Sequence, residues 1–194
     1  MAADDSVPRA AEVLRLFVAA GVSDDAKRSV AAAIEQWIDT FPDARWVPPE
    51  NWHITLKFLG ATDRGLVPWI EGTINAIASA HAPIASHLAN LGAFPTARRA
   101  SVLWAGVDDP EDRLAALVIE LEAALANEFR VEVRRFHPHL TVARSERPLS
   151  LPDRFVETRC ASGPFDIDQL ILYRSYLQRP HPRYEALRVF PLGR

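Results

Sequence analysis

The sequence predicts an α+β fold with mixed sheets, on three observations. Strand-like and helix-like segments alternate along most of the chain, but the last strands follow one another with no helix between them, which argues against a doubly wound parallel sheet. The length of 194 residues suits one mid-sized domain, or one domain built as two lobes, rather than two independent domains. A composition 48% hydrophobic and 24% charged supplies a sizeable core and excludes collagen-like, disordered and disulfide-scaffold classes.

The elements follow in chain order. Residues 1–12 read as a flexible, polar, proline-containing lead. Arg15 to Ala20 reads as a strand ending at Gly21. Ser23 then supplies a helix N-cap, and Val30, Ile34, Trp37, Ile38 and Phe41 recur at helical spacing until Pro42. Trp46 to Glu50 is a turn with a strand stub, and His53 to Leu59 is a strand. Pro68 to Ala80 is a helix, Ile84 to Leu91 a strand, and Gly92 to Arg99 a loop. Ala100 to Val107 is a strand, and Asp108 and Asp109 cap a helix opening at Pro110, whose apolar stripe runs from Leu114 to Phe129. His139 to Ala143 is a strand. Phe165–Leu177 and Tyr184–Phe190 form a closing hairpin around Gln178-Arg-Pro-His-Pro.

Charge and cysteine content narrow the partners. The net charge of -3 does not suit a long electrostatic footprint on duplex nucleic acid, so any nucleic-acid substrate is met locally, at an end or as one nucleotide. The single cysteine, Cys160, makes no internal disulfide and no cysteine-based zinc cage, which fits a reducing, cytoplasmic setting. No membrane span and no signal peptide are visible: Arg15 interrupts the apolar stretch from Val13 to Val22, and Asp4 and Asp5 stand where a basic segment would be. The acidic surface and the lack of a heptad point to a monomer. There is no phosphate-binding glycine loop, no dinucleotide fingerprint, no His-Glu-x-x-His and no Gly-x-Ser-x-Gly elbow.

One short pattern occurs twice: His53-Ile-Thr-Leu and His139-Leu-Thr-Val. On a strand, the His and Thr of each copy share one face. Their apolar neighbours, Ile54, Leu56 and Phe58 in one copy and Leu140 and Val142 in the other, anchor the strand from behind. Each copy thus offers an imidazole and a hydroxyl to one surface. Two imidazoles can work as a pair, one taking a proton from an attacking oxygen and the other giving one to a leaving oxygen. A phosphodiester needs this, because attacker and leaving group lie on opposite sides of phosphorus. The threonine hydroxyls can donate to the non-bridging oxygens, where charge gathers.

Other residues carry two readings each. Arg144, five residues after His139, can clamp phosphate only if the strand ends or bulges before it; otherwise it is a surface ion pair. Lys57 shares the His53 face by strict alternation, as a site residue or a solvated charge. His137 is a conceivable metal ligand, but no carboxylate has convincing spacing. His81, His87 and His181 follow no pattern. Arg130, Arg134, Arg135 and Arg144 either attract a phosphate or protect an exposed edge strand. Trp46, Trp52, Trp104, Phe94 and Phe136 are core residues or base-stacking platforms, with one of them expected at a ligand.

With these segments in hand, the chain resembles the two-histidine (2H) phosphoesterase superfamily, in its bacterial and archaeal RNA 2′,3′-cyclic phosphodiesterase branch, also called 2′-5′ RNA ligase-like. The matching segments, in family order, are Arg15 to Ala19, Trp46 to Gly60, Gly92 to Pro95, Val102 to Trp104, Phe136 to Arg144, and Leu172 to Ser175 with Tyr184. The resemblance implies a bilobal α+β fold over residues 13–194, with two pseudo-symmetric halves whose antiparallel or mixed sheets are flanked by helices around a central groove. It implies hydrolysis of nucleoside 2′,3′-cyclic phosphates at RNA 3′ ends, or of small cyclic nucleotides, to 2′-phosphates, without metal or other cofactor, and possible 2′-5′ ligation in reverse. It makes His53 the proton donor, His139 the proton acceptor, and Thr55, Thr141 and Arg144 the phosphate-binding residues. The rival readings are a module that holds an AMP-like ligand in the same groove without turnover, and a histidine metalloenzyme.

Overall fold

A computed structural model describes residues 12–193. The elements run β1 (Val13–Ala20), α1 (Asp24–Ile38), β2 (Arg45–Trp46), β3 (Ile54–Asp63), α2 (Val67–Ala80), β4 (Ile84–Phe94), β5 (Ala100–Asp108), α3 (Arg113–Ala124), β6 (His139–Leu149), α4 (Asp153–Val156), β7 (Phe165–Ile167), β8 (Gln169–Tyr176) and β9 (Arg183–Pro191). The α+β class is as expected, and every strand pairing is antiparallel. Of the expected lead, residues 1–11 lie outside the described residues. Glu12 is ion-paired to Arg64 and Arg174.

The strands form one path, β7-β4-β5-β6-β3-β1-β8-β9, with β2 added beside β6. Its two halves have matching plans. In one, β1 is followed by α1 and lies beside β3; in the other, β5 is followed by α3 and lies beside β6. Among the described residues, β3 and β6 meet through one matched pair, Ile54 opposite Leu140. Both residues are fully buried. Each stands between the His and the Thr of its own copy of the repeated pattern, so the seam of the molecule is the repeat itself.

The helices fasten the halves together. α3 leaves β5 yet packs on α2 and β3 of the opposite half. α1 leaves β1, and its Trp37 packs against Phe155 of α4, which lies on β4 of the opposite half. Ser23 caps α1 by accepting from the Ala26 amide, as its position before Asp24 and Asp25 predicts. The buried side chains of both halves make one continuous core.

Several expectations change. α3 opens at Arg113 rather than Pro110, with Asp109 capping the Leu114 and Ala115 amides, and it ends at Ala124 although Leu125 and Phe129 stay buried. The strand expected over Phe165–Leu177 is two strands. β7 pairs with β4 in one half and β8 with β1 in the other, so the chain crosses the molecule at Asp168. The strand at Ile84 runs on to Phe94. The basic stretch 130–135 is exposed and forms no strand.

Bulges cause the largest departure from strict alternation. Along β1 and β3, Val18 matches Lys57 but Ala19 matches Thr55, so β3 carries one extra residue at Leu56. The phase flips there. Leu56 and Lys57 both turn inward, and Phe58, expected in the core, is 66% exposed. Along β5 and β6, Leu103 matches Ala143 but Trp104 matches Thr141, so Val142 is the extra residue. Val142 and Ala143 are buried in turn and Arg144 comes to the outer face. The two copies therefore bulge at equivalent places, and Phe58 and Arg144 occupy equivalent positions five residues after their histidines.

Candidate active site

The repeat delivers its polar groups to one place. In an antiparallel pair, positions on either side of a matched pair also fall opposite one another. Around Ile54–Leu140, the antiparallel directions put His53 on the side of Thr141 and Thr55 on the side of His139. A groove of about 390 Å³ runs beside this quartet; His53, Thr55, Thr141 and Arg144 line it. His139 is not among the lining residues. Its half-buried ring stands 5.1 Å from Phe94 and 6.1 Å from Trp104 between centroids. It is near enough to His53 for its charge to lower that imidazole's proton affinity.

The two imidazoles are held alike. His53 Nδ1 lies 2.8 Å from the Asn51 carbonyl, and His139 Nδ1 lies 2.6 Å from the His137 carbonyl. A carbonyl can only accept, so each Nδ1 carries the proton and donates it. That leaves Nε2 of each ring as the position that gains or loses a proton. His137 thus serves His139 through its backbone. Among the described residues, no three His, Cys, Asp or Glu side chains cluster as a metal site.

Rings fix the histidines from the side. His53 lies against Phe17 at 4.9 Å, Tyr184 at 5.2 Å and Tyr173 at 5.9 Å. Burial among them pushes the His53 pKa down to about 4, against a smaller upward pull from the Asn51 carbonyl; Arg144, His139 and Lys27 push it further down. His139 is lowered in the same direction, by burial first, with the His137 carbonyl opposing and the charges of Arg144 and His137 assisting. Both rings are therefore neutral at neutral pH. Burial likewise raises the phenols of Tyr173 and Tyr184, so they stay protonated.

Arg144 reaches the groove by the bulge at Val142, the condition that the sequence imposes on it. Lys57 does not: it is buried behind the sheet, where Nζ donates to Glu122 at 2.5 Å and to the Arg130 carbonyl at 3.1 Å. Of the five aromatic residues considered from the sequence, none lines the groove. Trp52 is core, with Nε1 donating to the Val47 carbonyl, while Trp104 and Phe94 back His139. Phe17, Phe58 and Tyr184 line it instead, with Arg15 and Asn51. Alternation along β1 carries a signal for two of these, since Arg15 and Phe17 share a face. Nothing local in the sequence marks Phe58, which needs the bulge, or Asn51, whose side chain donates to the Pro182 carbonyl and ties the 178–182 loop to the site.

The comparisons agree with this architecture. The family model described as the 2′-5′ RNA ligase superfamily matches residues 22–179. A protein of Geobacillus stearothermophilus named RNA 2′,3′-cyclic phosphodiesterase is 32% identical over 91% of this chain, which spans 56% of that relative's length. A protein of the same name from Methanocaldococcus jannaschii is 30% identical over 90% of this chain and 99% of its own. The crystal structure of E. coli LigT complexed with 3′-AMP superposes with a TM-score of 0.70 at 25% identity, over 94% of this chain and all of that one. Sequence, sheet plan and the twofold His-x-Thr quartet converge on one assignment: the chain belongs to the 2′-5′ RNA ligase superfamily.

Proposed function

We propose that this protein is an RNA 2′,3′-cyclic phosphodiesterase that opens terminal 2′,3′-cyclic phosphates to 2′-phosphates, with His53 and His139 as its acid–base pair. The observation that carries this reading is the pair of imidazoles, each pinned through Nδ1 to the carbonyl two residues before it, on strands that meet at Ile54–Leu140. The names of the relatives from G. stearothermophilus and M. jannaschii support the activity. The 3′-AMP bound to LigT supports a nucleotide-sized occupant.

The step needs one group that accepts and one that donates. A water oxygen attacks phosphorus in line as His139 Nε2 takes its proton. The P–O3′ bond breaks as His53 Nε2 gives its proton to O3′. The products are a 2′-phosphate and a 3′-hydroxyl, and solvent exchange returns both rings to their starting states. Thr55 and Thr141 donate to the non-bridging oxygens, and the Arg144 guanidinium binds the charge that builds there. Because both rings are neutral at neutral pH, the acid takes up its proton as the anionic phosphate binds and favours the imidazolium. With a 5′-hydroxyl in place of water, the same steps join that oxygen to phosphorus as a 2′-5′ phosphodiester while O3′ leaves with the proton from His53.

The test is product analysis on an RNA end bearing a 2′,3′-cyclic phosphate. His53→Ala and His139→Ala should each lower kcat by about 10²–10⁴-fold, with circular dichroism unchanged. A variant that keeps near-full activity would sink the assignment. Binding of the nucleotide without any product would favour a holding module over an enzyme.

A further inference from the structure

A second cavity, of about 480 Å³, opens beside the first and shares with it the wall made by Val47, Arg144, Leu177, Pro182 and Tyr184. Its far side carries Arg45, Gln178, Arg179 and His181. The sequence gives none of these a role, and His181 reads there as an ordinary loop residue. Among the described residues, no carboxylate lines either cavity, although acidic residues outnumber basic ones by 25 to 22 in the chain.

The placement of Arg45 is the telling feature. It sits directly opposite Arg144 on the two-residue strand β2. Like charges directly opposite across a strand pair repel and destabilise it. A strand this short has few ladder bonds to offset that cost. The ion pair of Arg45 with Glu146, at 3.7 Å, is long and exposed. An anion between the guanidiniums would turn the repulsion into attraction. Arg144 already faces the groove beside the histidines, so that anion sits one step further out. The loop supplying Arg179 and His181 is tied to the site by the hydrogen bond from Asn51 to Pro182, which fixes the second cavity relative to His53.

We infer that this cavity binds the phosphodiester on the 5′ side of the terminal nucleotide, so that the substrate is an oligoribonucleotide end rather than a free cyclic mononucleotide. The inference rests on the proposed function. Arg144 faces the terminal phosphate, while Arg45 and Arg179, with His181, face the next one. A mononucleotide has no group to place there.

The experiment compares a 2′,3′-cyclic mononucleotide with a 5′-fluorescein-labelled pentaribonucleotide ending in a 2′,3′-cyclic phosphate, using the wild type, Arg179→Gln and the double variant Arg45→Gln/Arg179→Gln. The wild type should prefer the pentamer. The double variant should lose roughly 10- to 100-fold in kcat/KM on the pentamer and stay within about twofold on the mononucleotide, with a shallower salt dependence on the pentamer only. Equal losses on both substrates, or no loss on the pentamer, would overturn the inference. Arg179→Gln, in an exposed loop, gives a partial loss of the same pattern even if the double variant folds poorly. Fluorescence anisotropy with the pentamer ending in a 2′-phosphate separates the two readings. If the wild type opens neither cyclic substrate, the enzymatic reading fails, while weaker pentamer binding by the variants still supports the second cavity. If binding is unchanged, the cavity assignment fails whatever the turnover.

Discussion

At the scale of single residues, the chemistry turns on where a proton resides. The reacting form under the proposed mechanism has one imidazole protonated and the other neutral. It appears as the first ring loses its proton with rising pH and disappears as the second does. Both rings have pKa values below the ordinary 6.5, His53 at about 4, because burial penalises the charged form and Arg144 repels it. The sign is thus fixed: kcat/KM, which reports the free enzyme, should rise and fall within the acid range, peak below pH 6.5 and decline as pH increases through neutrality. Arg144→Gln, besides weakening phosphate binding, should move both limbs toward higher pH. Steady-state profiles on a cyclic substrate check this, and a maximum at pH 8 in the wild type would contradict it. The quartet His53, Thr55, His139 and Thr141 was legible in the sequence because two copies of one pattern kept the same apolar phase. The proton affinities were not. They depend on Phe17, Tyr173 and Tyr184, which come from three other strands and meet His53 only in the fold.

At the scale of elements, alternation predicts a strand correctly until a bulge changes its phase. That one device explains why Lys57 left the site and Arg144 and Phe58 entered it. A trace of it is present in the sequence: Val142-Ala143 is a pair of small or branched apolar residues in a row, which alternation would not place on opposite faces of a half-polar strand. The equivalent pair in the first copy, Leu56-Lys57, is masked by the charge of Lys57. That charge is satisfied by Glu122, which also accepts from the Glu132 amide at 3.1 Å, so the pair ties β3 to α3 and to the segment that leads into β6. Breaking one half of such a pair strands the other in the core. Lys57→Met and Glu122→Leu should each lose about 3 kcal/mol of stability. The double variant, with neither charge left, should recover most of that loss. Urea unfolding checks it, and costs that simply add would show that the two side chains act independently.

At the scale of the whole molecule, the two halves touch through very little sheet yet share one core. Ile54–Leu140 is the one matched pair between β3 and β6 among the described residues. Two lobes joined so narrowly could hinge or unfold separately. The helices argue otherwise. α3 starts from β5 and covers β3, α1 starts from β1 and meets α4 on the opposite half, and the crossing at Asp168 passes the chain from β7 in one half to β8 in the other. Each half is thus completed by an element that the other half emits. Neither can lose its packing without exposing the apolar surface of its neighbour, so the two halves are expected to unfold together. Far-UV circular dichroism and tryptophan fluorescence should report one coincident urea transition. Leu140→Ala, at the seam, should lower its midpoint by the equivalent of about 2–5 kcal/mol without splitting it, and should reduce kcat even though Leu140 touches no substrate, because the histidines take their separation from that pair. Two resolved transitions, or a destabilised Leu140→Ala protein with unimpaired turnover, would show that the halves and the histidines are positioned by something other than the seam.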